Sequence, residues 1–249
     1  MIKAFINFVN TIGEATLLFL KTVVIIFTHP PKIKHILRYM DDIGVSAAIL
    51  IAVTGFFTGG VTVVETYPTF HKFNAEIFSG AVVAISLGRE LSPVLVALLI
   101  TARSGSGIAA NIGTMRITEQ IDALEVLAVN PLRYLVAPRL IAAIFMVPAL
   151  TVLSIASGIL GGYFVATEIY HINGHLLVQK MIDLTELYDI IGGLYKSVVF
   201  GALIVIVASY YGYTAKGGAE GVGKATTKAV VVSSVLILIV DYFLTALIF

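Results

Sequence analysis

The chain has neither cysteine nor tryptophan in its 249 residues. Without cysteine there are no disulfides, no thiolate nucleophiles and no Cys-based zinc or iron–sulfur centres. Without tryptophan, the 11 Tyr and 14 Phe must supply any aromatic belt at a membrane surface. Charge is scarce as well: Asp, Glu, Lys and Arg make up 12% of the residues, against about 25% in soluble domains. The formal net charge of +1 gives a nucleic-acid partner no support. HExxH, GxSxG and EF-hand patterns are missing, so no catalytic or metal set is expected. His171 and His175 stand four apart, but Asn173-Gly174 between them argues against a shared helix face. The run from Gly218 to Ala225 nearly spells a phosphate-binding loop, yet Ala225 stands where Ser or Thr must come after the lysine to bind Mg²⁺.

Hydrophobic residues make up 58% of the chain and fall in long blocks. Crossing about 30 Å of hydrocarbon takes about 20 apolar helical residues. Residues 44–64, 77–102, 140–167, 190–213 and 229–249 meet that demand. The apolar run 15–27 carries Lys21 at its middle and stops before Pro30-Pro31, so it reads as too short to cross. Ile2, Phe5, Ile6, Val9 and Ile12 precede it at helical spacing. Residues 1–43 are therefore predicted to lie in the membrane interface as amphipathic helices. The start lacks the small-residue cleavage site of a secretory signal, so it is expected to remain. The predicted fold class is an all-α integral membrane protein with five transmembrane helices in one domain, 1–249. Lys and Arg crowd into 1–43, 103–139 and 214–228, while the opposite loops hold only Lys72 and Lys180. The crowded side should be cytoplasmic, which puts the N-terminus inside and the C-terminus outside.

Between the second and third spans, Ile117, Ile121, Leu124 and Ala128 share one helical face, and Asn130-Pro131 stops the helix. Glu119, Gln120, Asp122, Ala123 and Glu125 lie off that stripe, giving an acidic face beside the membrane. Anionic lipid would repel it, so docking to a soluble protein is the better reading.

The stretch RELSPVLVALLITARSGSGIAANIGTMRITEQIDALEVLAVNPLRYLVAPR, with YKSVVFG, GVGKATTKAVV and DYFLTALIF after it, closely resembles the MlaE (YrbE) family of ABC-transporter permeases. The resemblance runs from Gly44 to the C-terminus, with Ser92 standing where the family usually has Gly. It implies a homodimer in a bacterial inner membrane. It implies two further partners, a cytoplasmic ABC ATPase and a periplasmic MCE-domain lipid-binding protein, and phospholipid or a related lipid as cargo. ATP and Mg²⁺ would belong to the partner, and this chain would hold no cofactor and perform no catalysis. The 117–129 helix would be the coupling helix that meets the ATPase.

Four charges fall inside predicted spans: Arg89, Glu90, Lys196 and Asp241. Each costs about 2.5–3.5 kcal/mol at mid-bilayer. Adjacent residues diverge by about 100° on a helix, so Arg89 and Glu90 need different partners. Counting helical rise brings Lys196, with its long stem, within reach of Glu90 or Asp241. Such a pairing could be a structural ion pair, a polar part of a lipid pathway or a conformational lock. Arg89 could fork onto a lipid phosphate. The family's cavity would put Val61, Thr62 and Phe73 nearby. An ion-coupled secondary transporter, with Glu90 or Asp241 titrating, is the competing function. Inverted repeats would favour it, and none is visible.

Overall fold

A computed structural model describes residues 2–249, with side chains described from Asn10 onward. Among these residues the regular structure is entirely helical. The α-helices are α1 (Ile2–Thr28), α2 (Ile33–Ile43), α3 (Ala48–His71), α4 (Ser79–Ser86), α5 (Ser92–Ile100), α6 (Ser106–Ile117), α7 (Gln120–Val126), α8 (Ala137–Phe164), α9 (Gly174–Leu184), α10 (Leu187–Tyr213) and α11 (Gly218–Ile248). π-helical turns at Leu87–Leu91, Thr101–Gly105, Leu132–Val136 and Val165–Ile169 join or extend several of them.

Six stretches, not five, are long and apolar enough to cross a membrane, and the additional one is Asn10–Thr28. The expected 13-residue limit fails because the backbone ignores it. Nothing between Ile2 and Thr28 breaks the helix, so α1 runs unbroken for 27 residues and stops just before two prolines. Leu17, Leu20, Val24 and Phe27 on α1 are exposed, as they would be against lipid. α2 carries one polar and one apolar face. The coupling segment is also shorter than expected. Ile117 ends α6, and Glu119 and Ala128 adopt left-handed φ values of 57° and 56°, so α7 holds only Gln120–Val126.

The chain divides into two compact units, each assembled from three stretches. Unit 1 comprises Met1–Val45, Ile100–Met146 and Phe200–Ile237. Here α1 is tied down by polar contacts: the Tyr210 hydroxyl donates to Glu14 Oε2 at 2.8 Å, and Arg133 donates to the Pro30 carbonyl at 3.2 Å. Unit 2 comprises Ser46–Leu99, Val147–Val199 and Leu238–Phe249. Its core gathers Val63, Val83, Leu87, Ala166, Leu177 and Met181.

Within unit 2, α3 meets the later part of α8 at van der Waals distance of the backbones. A Cβ on Gly59 would overlap the Gly158 carbonyl, and one on Gly161 would overlap the Phe56 carbonyl. The small-residue spacing of both helices therefore sets their contact. Along α3, Thr58, Thr62 and Thr66 donate to carbonyls four residues back at 2.7–2.8 Å, which hides their hydroxyls within an apolar helix.

Candidate functional site

The intramembrane charges converge in unit 2, and a proline helps explain how. Ser92 N–H bonds the Leu87 carbonyl, closing the π turn Leu87–Leu91. Pro93 comes next, has no N–H, and would clash with the carbonyl four residues back. That carbonyl belongs to Arg89, and it accepts a hydrogen bond from Lys196 Nζ at 3.0 Å instead. One turn before Lys196, Gly193 lets α10 come against the chain at Gly88: a Cβ on Gly193 would overlap the Gly88 carbonyl.

Lys196 is fully buried. Its ammonium lies 2.7 Å from Glu90 Oε2 and 3.1 Å from Asp241 Oδ1, and donates to Thr245 Oγ1 at 2.6 Å. One cation thus answers two carboxylates. Thr245 Oγ1 also lies 3.0 Å from Glu90 Oε1 and 2.8 Å from the Asp241 carbonyl, and its one proton serves one of them at a time. Glu90 remains 36% exposed and Asp241 17%, so the cluster is buried on the Lys196 side and open on the Glu90 side.

Arg89 takes a separate partner. Its Nε and Nη2 both approach Asp189 Oδ1, at 2.7 and 2.6 Å, and Asp189 is 1% exposed. Asp189 Oδ2 in turn accepts the Glu186 N–H at 2.9 Å, fixing the start of α10 in the manner of a capping box. The Arg89 guanidinium also lies over the Phe249 ring, 4.7 Å from its centre. Three carboxylates and two cations leave the assembly with a formal charge of −1.

Arg89, Glu90, Lys196 and Asp241 are therefore brought together. Val61, Thr62 and Phe73 are not tied to them by any hydrogen bond or ion pair among the described residues. Val61 and Phe73 are exposed, and the Thr62 hydroxyl bonds the Thr58 carbonyl at 2.8 Å. Ser92 is buried and accepts a hydrogen bond from the Ser154 hydroxyl at 3.1 Å. Sequence reasoning missed Asp189 and Thr245, although their spacing carried the signal. Asp189 is seven residues before Lys196, two turns along one face, and Thr245 is four after Asp241.

Glu119 at the N-cap and Gln120, Asp122, Ala123 and Glu125 on α7 are all set off the anchoring position: Ile121 is 1% exposed and holds the helix down, while these five are exposed. Arg116 reaches Asp122 at 2.6 Å. Gly218–Lys224, the near phosphate-binding loop, is wound into the first turns of α11, with Lys224 paired to Glu220 at 2.6 Å. No cluster of His, Cys, Asp and Glu fit to hold a metal occurs among the described residues.

Long apolar helices around a charge cluster, with a short exposed acidic helix between them, define a multi-pass membrane protein. The family model for permease MlaE matches residues 36–247, and the chain belongs to that family. A probable ABC transporter permease protein of Rickettsia typhi is 41% identical, with 98% of each chain covered. The intermembrane phospholipid transport system permease protein MlaE of Haemophilus influenzae is 36% identical over 99% of this chain and 95% of its own. The chloroplastic protein trigalactosyldiacylglycerol 1 of Arabidopsis thaliana is 33% identical over 87% of this chain and 62% of its own.

Proposed function

We propose that the chain is the membrane-spanning subunit of an ABC transporter that moves phospholipid or a related lipid between inner and outer membranes. A separate ATPase supplies the energy by docking on α7. The acidic face of α7 carries this reading: a seven-residue helix anchored by Ile121, with Glu119, Asp122 and Glu125 off the anchored side. The names of the relatives from Rickettsia typhi and Haemophilus influenzae support it. The basic segments, including Lys32, Lys34, Arg103, Arg133 and Lys216, lie toward the cytoplasm of a bacterial inner membrane, and α7 sits among them. The transporter holds two copies of the chain and hands lipid to a periplasmic MCE-domain protein.

In unit 2 the charged cluster holds the polar end of the route. Lys196 ties Glu90 to Asp241, and Arg89 is a guanidinium that a phosphate could draw from Asp189. The test is reconstitution with the ATPase that co-purifies. Lipid transfer should need ATP and fall when Asp122 and Glu125 are changed to Lys. Transfer driven by a proton gradient without ATP would point to a secondary transporter.

A further inference from the structure

Unit 1 contains a cavity of about 500 Å³ that the reading above does not use. Its charged lining is Arg38, Arg103 and Arg139 against Asp42, three cations to one anion. Arg139 is the informative one, because it is 4% exposed. Its Nη1 donates to the Leu135 carbonyl and its Nη2 to Asn111 Oδ1, both at 2.7 Å. The Tyr39 ring centre lies 4.4 Å from the guanidinium carbon. These contacts fix the plane of the guanidinium, but none brings a full negative charge. Asp42 in the same lining is the one carboxylate there whose charge acts on it, and that single anion faces three arginines. A guanidinium has five N–H donors, and two are used. A buried cation in that state calls for an anion. The Ser104 hydroxyl belongs to the same lining and has no hydrogen-bond partner among the described residues.

We propose that this cavity binds a phosphate group, presented by a lipid headgroup or free in solution. Guanidinium forks match phosphate oxygens in shape and charge. The space suits a headgroup, since small-molecule pockets span about 300–1,000 Å³. One wall is α2, which contributes Arg38, Tyr39 and Asp42. A helix with one polar and one apolar face lies at headgroup level. This site goes beyond the transport route proposed above and needs neither ATP nor a partner.

The absence of tryptophan gives a clean probe. Tyr134 lines the cavity and is exposed, so Tyr134→Trp puts the protein's sole indole there. The full-length variant is placed in phosphatidylcholine nanodiscs doped with brominated phosphatidylglycerol, or with brominated phosphatidylcholine. Saturable quenching that prefers the anionic lipid, weakened about tenfold or more by Arg139→Lys, assigns the site to a lipid phosphate. A shift of indole emission on adding inorganic phosphate to undoped discs, lost in the same variant, assigns it to free phosphate. Helical circular dichroism checks that Arg139→Lys folds. Where it does not, Arg38→Gln with Arg103→Gln carries the test, with the same expected loss. No response to either probe, or a response unchanged by the arginine variants, overturns the proposal. Loss of ATP-driven transfer alone would sink the permease reading and leave this one standing.

Discussion

Replacing Lys196 with Met removes the one cation that answers Glu90 and Asp241. Methionine fills much of the same space, so the loss is electrostatic rather than volumetric. Breaking a buried pair by removing one partner costs about 3–5 kcal/mol, because the remaining charge stays buried without compensation. Neither carboxylate is fully buried, since Glu90 is 36% exposed and Asp241 17%. That places the cost at the lower end of the range, about 3 kcal/mol, or roughly 6–12 °C in the unfolding midpoint for a chain of this size. The triple variant Lys196→Met, Glu90→Gln, Asp241→Asn discards the whole set and keeps its shape. It should recover most of the loss, since neutral replacement of a buried ionic cluster is often close to neutral in stability. Thermal unfolding of the purified protein in detergent, monitored by circular dichroism, reads both numbers. Lipid transfer in the reconstituted complex separates packing from transport. A triple variant that is stable but inactive would put the charges in the lipid route, and one that is stable and active would make them structural. A single variant as stable as the parent, or a triple variant no better than the single, would refute the electrostatic reasoning.

Three further outcomes are expected. Gly193→Ala should cost about 1–3 kcal/mol by overpacking and should also weaken the Lys196 contact to the Arg89 carbonyl, whereas Gly13→Ala, with nothing within 4 Å of the new Cβ, should be close to silent in the same unfolding assay. Asp189→Asn should cost about 1–2 kcal/mol, because it removes the charge beside Arg89 while Arg89 is 40% exposed. The chain has no cysteine, so single-cysteine variants report sidedness without background. Maleimide that cannot cross the membrane should label Glu125→Cys only from the cytoplasmic side and Phe73→Cys only from the opposite side, and the reverse pattern would invert the orientation.

The long uncharged blocks made the all-α membrane class legible, and helical rise together with the long lysine stem brought Lys196 within reach of its two carboxylates. What composition hid was backbone geometry. The apolar run 15–27 suggested a limit that the helix does not observe, since helices end at capping residues and prolines rather than at the last apolar side chain. The stripe through Ile117, Ile121, Leu124 and Ala128 continued across residues that turn left-handed, and a hydrophobic pattern carries no record of φ. The apolar run 190–213 leaves Asp189 one residue outside the span. In the structure it is the third residue of α10, 1% exposed and paired to Arg89.

The π turns have a consequence for how this protein can change over time. Each is a place where a helix accommodates one residue more than its regular winding needs. Two of them, Leu87–Leu91 and Leu132–Val136, have a proline two residues beyond their last residue, Pro93 and Pro138. Deleting one residue from Leu87–Leu91 would restore regular winding with the flanking helices still in phase, so only residues of the turn itself would be re-aimed. Arg89 and Glu90 lie in that turn and would be re-aimed by up to about 100° while keeping their identities. A relative that gains or loses a residue there would redraw its charge map without a single substitution, and a helical wheel drawn through Glu76–Ile117 would not reveal it.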